Sequence, residues 1–314
     1  MGSQQRIFAT VSSLPDEFQH GPLLLDGGLA TELERQGTDI SGRLWSARLL
    51  RDDPAAIVAA HRAFFEAGAD IAITASYQAT FEGFAAVGID NQTTAELMRL
   101  SVELARRAAA EIKDRPTWVA ASVGPYGAML ADGSEYRGDY GLTVKQLREF
   151  HRPRLEALSA SGADILAVET IPCAAEVEAL LTEVAVLPIQ AWFSLTVTGD
   201  RTRAGEDLRD VFAMTADVEQ VVAVGVNCST PEDINPAVQL AVAASKKPAV
   251  AYPNSGEGWN ADQRAWGGIS ELHVASASEW IGSGARLVGG CCRVTPTQIR
   301  DMAAVVRRTD TSPL

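Results

Sequence analysis

Short apolar runs alternate with longer amphipathic stretches through most of the chain. The runs lie near 23–27, 71–76, 118–123, 164–169, 189–196, 221–227, 248–252 and 285–289. Their Val, Ile, Leu and Ala content predicts strands buried on both faces. Helical patterns follow most of them, near 54–67, 93–112, 143–161, 174–185, 205–217, 231–245, 271–283 and 296–307. Several helix starts are marked. Thr93 with Glu96, Thr143 with Gln146 and Thr295 with Gln298 have capping-box spacing. Asp53, Thr230 and Thr295 each stand before a proline at the first helical position. A weak repeat runs through the joins: Glu66-Ala67-Gly68-Ala69-Asp70, Ser161-Gly162-Ala163-Asp164 and Ser283-Gly284-Ala285 each stop a helix at glycine and lead into a strand.

Eight strand–helix alternations favour a single-domain α/β fold, a (β/α)8 TIM barrel, over a doubly wound sheet. A doubly wound dinucleotide fold would carry a glycine fingerprint after its first strand, and Asp26-Gly27-Gly28-Leu29-Ala30-Thr31 does not match one. The barrel domain is expected over 21–314, after an N-terminal extension at 1–20, with loose ends at 1–20 and over about the last six residues. Two connections, 28–53 and 124–142, are long and show no obvious structure, the mark of a functional loop or of a solvated excursion.

Composition narrows the class. The chain has 314 residues, 46% of them apolar, which suits one large core. No apolar run reaches the roughly 18 residues of a membrane span, so no membrane partner is expected. The N-terminus lacks the apolar stretch of a secretory signal. It begins Met1-Gly2, but Arg6 stands where a myristoylation motif has Ser or Thr. A cytoplasmic location with reduced thiols is the expectation. The net charge of -13 argues against nucleic acid, which needs a basic footprint.

Three of the four cysteines fall at predicted strand ends. Cys228 closes the run from Val221, and Cys291 and Cys292 close the run from Ala285. The C-terminal ends of barrel strands form the rim where catalytic groups collect. Three thiolates meeting there would hold zinc and leave its fourth position open. Neighbouring side chains on a strand point to opposite faces, so both can serve one metal only past the strand's end. Gly289 and Gly290 are expected to let the chain bend there. Other readings of the same residues are small buried side chains, as expected for Cys173, or a 291–292 disulfide. A closed structural zinc site normally shows paired C-x-x-C spacing, which is absent.

The sequence resembles the zinc-dependent homocysteine S-methyltransferases from about Leu23 to the final helix. The resemblance rests on Asp26-Gly27-Gly28-Leu29-Ala30-Thr31-Glu32-Leu33, Thr74-Ala75-Ser76-Tyr77-Gln78, Ser122-Val123-Gly124-Pro125-Tyr126-Gly127, Glu169-Thr170, Gly225-Val226-Asn227-Cys228, Tyr252-Pro253-Asn254-Ser255-Gly256 and Gly289-Gly290-Cys291-Cys292. It implies Zn2+ on Cys228, Cys291 and Cys292, with the sulfur of homocysteine as fourth ligand. It also implies that Asp26 and Glu169, at the ends of strands one and four, take the amino group of homocysteine, a fitting charge match. Tyr77, Tyr126 and Asn227 are further substrate-binding candidates, Asn227 as a group supporting the ligand beside it. Trp45 could face a sulfonium through its ring or pack in the core.

The Asp132–Tyr140 segment resembles the branch that uses S-methylmethionine or S-adenosylmethionine as methyl donor. The arm of the betaine-using relatives is not expected, because the chain stops soon after the last barrel helix. The expected activity is methyl transfer from S-methylmethionine, and from S-adenosylmethionine to some degree, to homocysteine, forming methionine. The rivals are a betaine or corrinoid donor, and a barrel that binds zinc or thiols without turnover. Oligomeric state is not legible.

Overall fold

The computed structural model describes residues 14–18, 20–40, 44–260 and 265–309, with backbone only for Trp45, residues 258–260, 265–266 and Thr309. Eight parallel strands make the barrel: β1 (Leu23–Leu24), β2 (Ile71–Ile73), β3 (Trp118–Val123), β4 (Ile165–Ile171), β5 (Ala191–Leu195), β6 (Val221–Asn227), β7 (Ala249–Tyr252) and β8 (Ala285–Val288). Each pairs with its sequence neighbour, and β1 pairs with β8 through Leu23 with Leu287 and Leu24 with Val288. A parallel bridge from Leu25 to Ile71 closes the ring between β1 and β2. The expected (β/α)8 architecture is therefore the one observed.

Two cores result. Strand residues that point outward meet the helices in the larger one, with Phe64, Phe65, Leu166, Val168, Val224 and Ile299 among its buried members. Inward residues fill the barrel: Leu25, Ile71, Trp118, Ala120, Ile165, Ala167, Trp192, Val250 and Leu287. The period of two carries this alternation up each strand. Above Ile165 and Ala167 the next inward position on β4 is Glu169; above Trp118 and Ala120 on β3 it is Ser122. The rim chemistry is thus the top layer of the packing pattern. At the opposite end, Leu14 and Phe18 are buried within the inner cluster. Part of the stretch expected to be loose, 14–18, therefore packs on the barrel; residues 1–13 and 310–314 lie outside the described residues.

Helix starts follow the capping rules in part; Thr230 stands at the N-cap of Pro231–Ser245, but its hydroxyl caps no N–H and donates instead to Asp233 Oδ2 at 3.1 Å. Thr143 and Gln146 form the full reciprocal capping box of the helix Val144–Ser159. Asp53 caps Pro54–Glu66 by accepting from the Ala56 N–H. The helix expected from Thr93 begins earlier, at Asn91, because the Asp90 carboxylate takes the Thr93 N–H at 2.8 Å. The stretch expected helical over 205–217 is helical only over Leu208–Ala213, since Arg201–Thr202 and the Asp207 cap set its start. Likewise 271–283 holds a 3-10 turn, Val274–Ser276, and the helix Ala277–Gly282.

The long connections are not structureless. Residues 28–53 contain the helices Leu29–Arg35 and Trp45–Asp52, and residues 124–142 contain the helix Tyr126–Leu130 and a 3-10 turn at Ser134–Tyr136. Among the described residues no helix is long and apolar enough to cross a membrane.

Candidate active site

The site lies at the C-terminal rim of the barrel. Cys228 follows β6, and Cys291 and Cys292 follow β8. Their sulfurs all lie within 4.8 Å of one another. Cys228 Sγ and Cys292 Sγ are 3.8 Å apart. Cys228 Sγ and Cys291 Sγ are closer, at 2.50 Å, with Cα atoms 5.6 Å apart. Two cysteines at that Cα spacing can be bridged, so the pair the fold offers for a disulfide is 228 with 291. Zinc–sulfur bonds of about 2.3 Å would set tetrahedral neighbours roughly 3.8 Å apart. The 228–292 spacing matches this, and three soft donors within 4.8 Å suit a thiophilic metal. The three thiols interact with one another. Cys291 is pushed up by its hydrogen-bonded neighbours Cys228 and Cys292 and by burial, while the hydrogen bonds of Cys228 and Cys291 hold Cys292 down.

Backbone geometry brings the sulfurs in. Gly289 and Gly290 do not make the turn that the sequence suggested. They permit close approach instead: a Cβ on Gly289 would lie 2.6 Å from that of Leu25, and one on Gly290 2.2 Å from Val294 Cγ1. The turn itself falls at Arg293, with φ 66°, and Cys228 has φ 47°. Hydrogen bonds hold the loop. Cys291 N–H donates to the Pro253 carbonyl at 2.7 Å, and Cys292 N–H to Asn254 Oδ1 at 3.1 Å. Asn227 is fully buried. Its Oδ1 accepts from Thr170 N–H at 2.7 Å, and its Nδ2 donates to Thr170 Oγ1 at 2.8 Å and lies 4.0 Å from Cys291 Sγ. It ties the end of β4 to the strand that carries Cys228.

Asp26 and Glu169 meet beside this cluster. Asp26 is 1% exposed; its Oδ2 accepts from Ile73 N–H at 2.9 Å, and its Oδ1 has no partner. Burial pushes its carboxyl well above the usual range, with the charge of Glu169 adding. Glu169 accepts from the Ser122 hydroxyl. Burial raises it to about 7, with Cys228 adding and Ser122 and Tyr252 opposing. Two buried carboxyl groups whose charges interact, one with an unmet oxygen, suit a cation. Tyr252 lies below: its hydroxyl pairs with Ser194 Oγ at 2.6 Å and accepts from Trp192 Nε1 at 3.1 Å.

The aromatic candidates divide. Tyr77 lies near Thr170, within the field of Glu169 and Cys228. Tyr126 turns its ring to Tyr140 and Phe150, at centroid distances of 5.2 and 4.9 Å. Tyr136 instead lies by the cysteines, within the field of Cys228, Cys291 and Cys292. Trp45 opens the helix Trp45–Asp52, and its side chain lies outside the described residues. Cys173 stands apart, buried under the loops, with its thiol raised to about 12 by burial.

Sequence reasoning missed Arg154. It is 1% exposed on the helix Val144–Ser159, and donates to the carbonyls of Gly124 and Tyr77 at 2.8 and 3.1 Å. It fixes the backbone after β2 and β3. Only its position on the inner face of an amphipathic helix could have flagged it.

A sequence profile of the family "homocysteine S-methyltransferase" matches residues 23–306. The chain belongs to the homocysteine S-methyltransferase family. It is 47% identical to the homocysteine S-methyltransferase of Escherichia coli K12, over 90% of this chain and 94% of that one. It is 42% identical to YbgG, a homocysteine S-methyltransferase of Bacillus subtilis, over 92% and 96%. Its fold matches the crystal structure of the metallated form of the homocysteine methyltransferase MmuM from E. coli with a TM-score of 0.82, at 45% identity, covering 90% of this chain and 96% of that one.

Proposed function

We propose that this protein moves a methyl group from S-methylmethionine, and more slowly from S-adenosylmethionine, to the sulfur of homocysteine, with zinc held by Cys228, Cys291 and Cys292. The observation that carries the reading is the juxtaposition of three rim thiols with the buried pair Asp26 and Glu169. A thiol ligand that also bears an ammonium suits both halves. Zinc bound to the three thiolates would supply an open position that deprotonates a substrate thiol near neutral pH.

The chain's own residues supply the rest. Asp26 Oδ1 and the Glu169 carboxylate receive the ammonium of homocysteine, which fixes its sulfur toward the cysteines. Ser122 and Tyr252 orient Glu169. Asn227 holds the Thr170 backbone and packs by Cys291, so the ligand sulfurs keep their places. Tyr77 walls the pocket, and Trp45 and Tyr126 are retained as further donor-side candidates. The homocysteine sulfur then attacks the methyl carbon in line. A new S–CH3 bond forms, the donor's C–S bond breaks, and its electron pair returns to the donor sulfur. The thiol proton leaves to solvent. With S-methylmethionine as donor, both products are methionine.

A donor with positive charge is favoured, because a thiolate cluster raises local cation concentration. A cytosolic setting, in which thiols stay reduced, suits the site. The test is methionine formation by zinc-loaded protein with each donor in parallel. S-methylmethionine should be fastest, S-adenosylmethionine slower, and betaine and methylcobalamin near background. Faster turnover with betaine would overturn the donor reading, and homocysteine binding without turnover on any donor would reduce the barrel to a thiol-binding protein.

A further inference from the structure

The 124–142 connection carries a buried acid that the proposed reaction does not yet use. After the helix Tyr126–Leu130 the chain folds back through the turn Ser134–Tyr136. Gly127 permits this: a Cβ there would lie 2.4 Å from Glu135 N. Asp132 Oδ1 clamps the turn by accepting from Ser134 N–H at 2.9 Å. Glu135 is left 4% exposed, and its Oε2 has no hydrogen-bond partner. Its charge is felt by Tyr77, Cys228 and Cys292. The turn therefore sets Glu135 near Tyr77 and the cysteine cluster, close enough for their charges to interact.

Among the described residues no cation satisfies that free oxygen. Arg137 turns outward, half exposed, with Nε 3.4 Å from Asp139 and Nη2 2.8 Å from Ser134 Oγ. Arg203 crosses the Tyr136 ring at 5.9 Å and donates to Thr198 Oγ1 at 2.7 Å. A buried carboxylate with an unmet acceptor is costly unless a charged hydrogen-bond donor arrives with the ligand. A sulfonium centre brings charge but no N–H. An α-ammonium brings both. Asp26 and Glu169 are assigned above to the ammonium of homocysteine, and the donor, a second amino acid, carries a second.

We propose that Glu135 binds the α-ammonium of the methyl donor and so selects amino acid sulfoniums over simple ones. This rests on the sulfonium-donor reading above. The test compares zinc-loaded full-length protein with Glu135→Gln and Glu135→Asp. Three compounds are titrated: homocysteine, S-methylmethionine, and the same dimethylsulfonium acid without its amino group. In Glu135→Gln the KM and the calorimetric Kd for S-methylmethionine should rise by about tenfold, the loss of one charge-assisted hydrogen bond. Homocysteine KM, zinc content and the constants for the deaminated sulfonium should stay as in the unaltered protein, and Glu135→Asp should recover part of the loss. Unchanged S-methylmethionine constants in Glu135→Gln would overturn the assignment, as would an equal loss for the deaminated compound. If the unaltered protein turned over neither S-methylmethionine nor S-adenosylmethionine, the reaction itself would be misread and this inference would fall with it.

Discussion

Replacing Glu169 by Gln tests the acceptor side of the pocket. The substitution keeps shape and leaves an oxygen to accept from Ser122, so the rim should stay in place. It removes one of two charges facing the ammonium of homocysteine. A hydrogen bond to a charged group contributes roughly 1.5–3 kcal/mol. Two effects trim the loss. Asp26 still holds the ammonium, and the variant no longer places two carboxyl groups together in a buried site. The expected net loss is therefore at the low end, about 1.5–2 kcal/mol, or roughly ten- to thirtyfold in Kd. The assay is calorimetric titration of homocysteine into zinc-loaded protein at pH 8, above the value of about 7 to which burial raises Glu169. The same thiol acid without its amino group serves as the control ligand. Its affinity should not change. Equal affinity of the variant and the unaltered protein for homocysteine would refute the assignment, and an equal loss for the control would show that the change had disturbed the rim.

Two further outcomes are expected. Cys228→Ser, Cys291→Ser and Cys292→Ser should each lower zinc content and methionine formation, whereas Cys173→Ser should alter neither; elemental analysis with the donor assay checks this. His61 is fully buried, neither ring nitrogen has a partner, and burial lowers it to about 4. Its neutral form is the one the fold accepts, so its contribution is complete above about 6.5 and is lost as pH falls through 4. About 2 kcal/mol should disappear between pH 8 and 5 by this linkage. Urea unfolding of His61→Leu should lack that part of the pH dependence, and an identical slope in the variant would exclude His61 as its source.

The strands were legible because each is buried on both faces, and an apolar run bounded by glycine or a capping residue has few other homes. Helix edges were less so: Asp90 and Thr93 are both good caps, and the Asp90 carboxylate takes the Thr93 N–H, so the helix starts one turn earlier. The cysteines were legible as strand-end residues. Their convergence needs close approach at Gly289, against Leu25, and at Gly290, against Val294, and those contacts appear only in the fold. Side-chain direction within the long loop was not legible. Tyr126 and Tyr136 are ten residues apart in one segment, and which one lies by the cysteines is decided by the Ser134–Tyr136 turn. Glu135 was hidden for the same reason, since an acid in a Gly- and Asp-rich loop reads as solvated until the fold buries it.

The left-handed residues on the rim carry a different lesson. Thr170, Cys228 and Arg293 have φ of 61°, 47° and 66°, a region that costs a non-glycine residue roughly 1–2 kcal/mol. Glycine would relax all three. Glycine at 228 would remove a sulfur, and at 170 it would strip Asn227 of its hydroxyl partner. A sequence selected only for thermal robustness should drift toward glycine at these places, erasing the chemistry as it hardens the fold. Stabilising this barrel by design therefore calls for leaving those three positions out of the search and working at the helix surfaces instead.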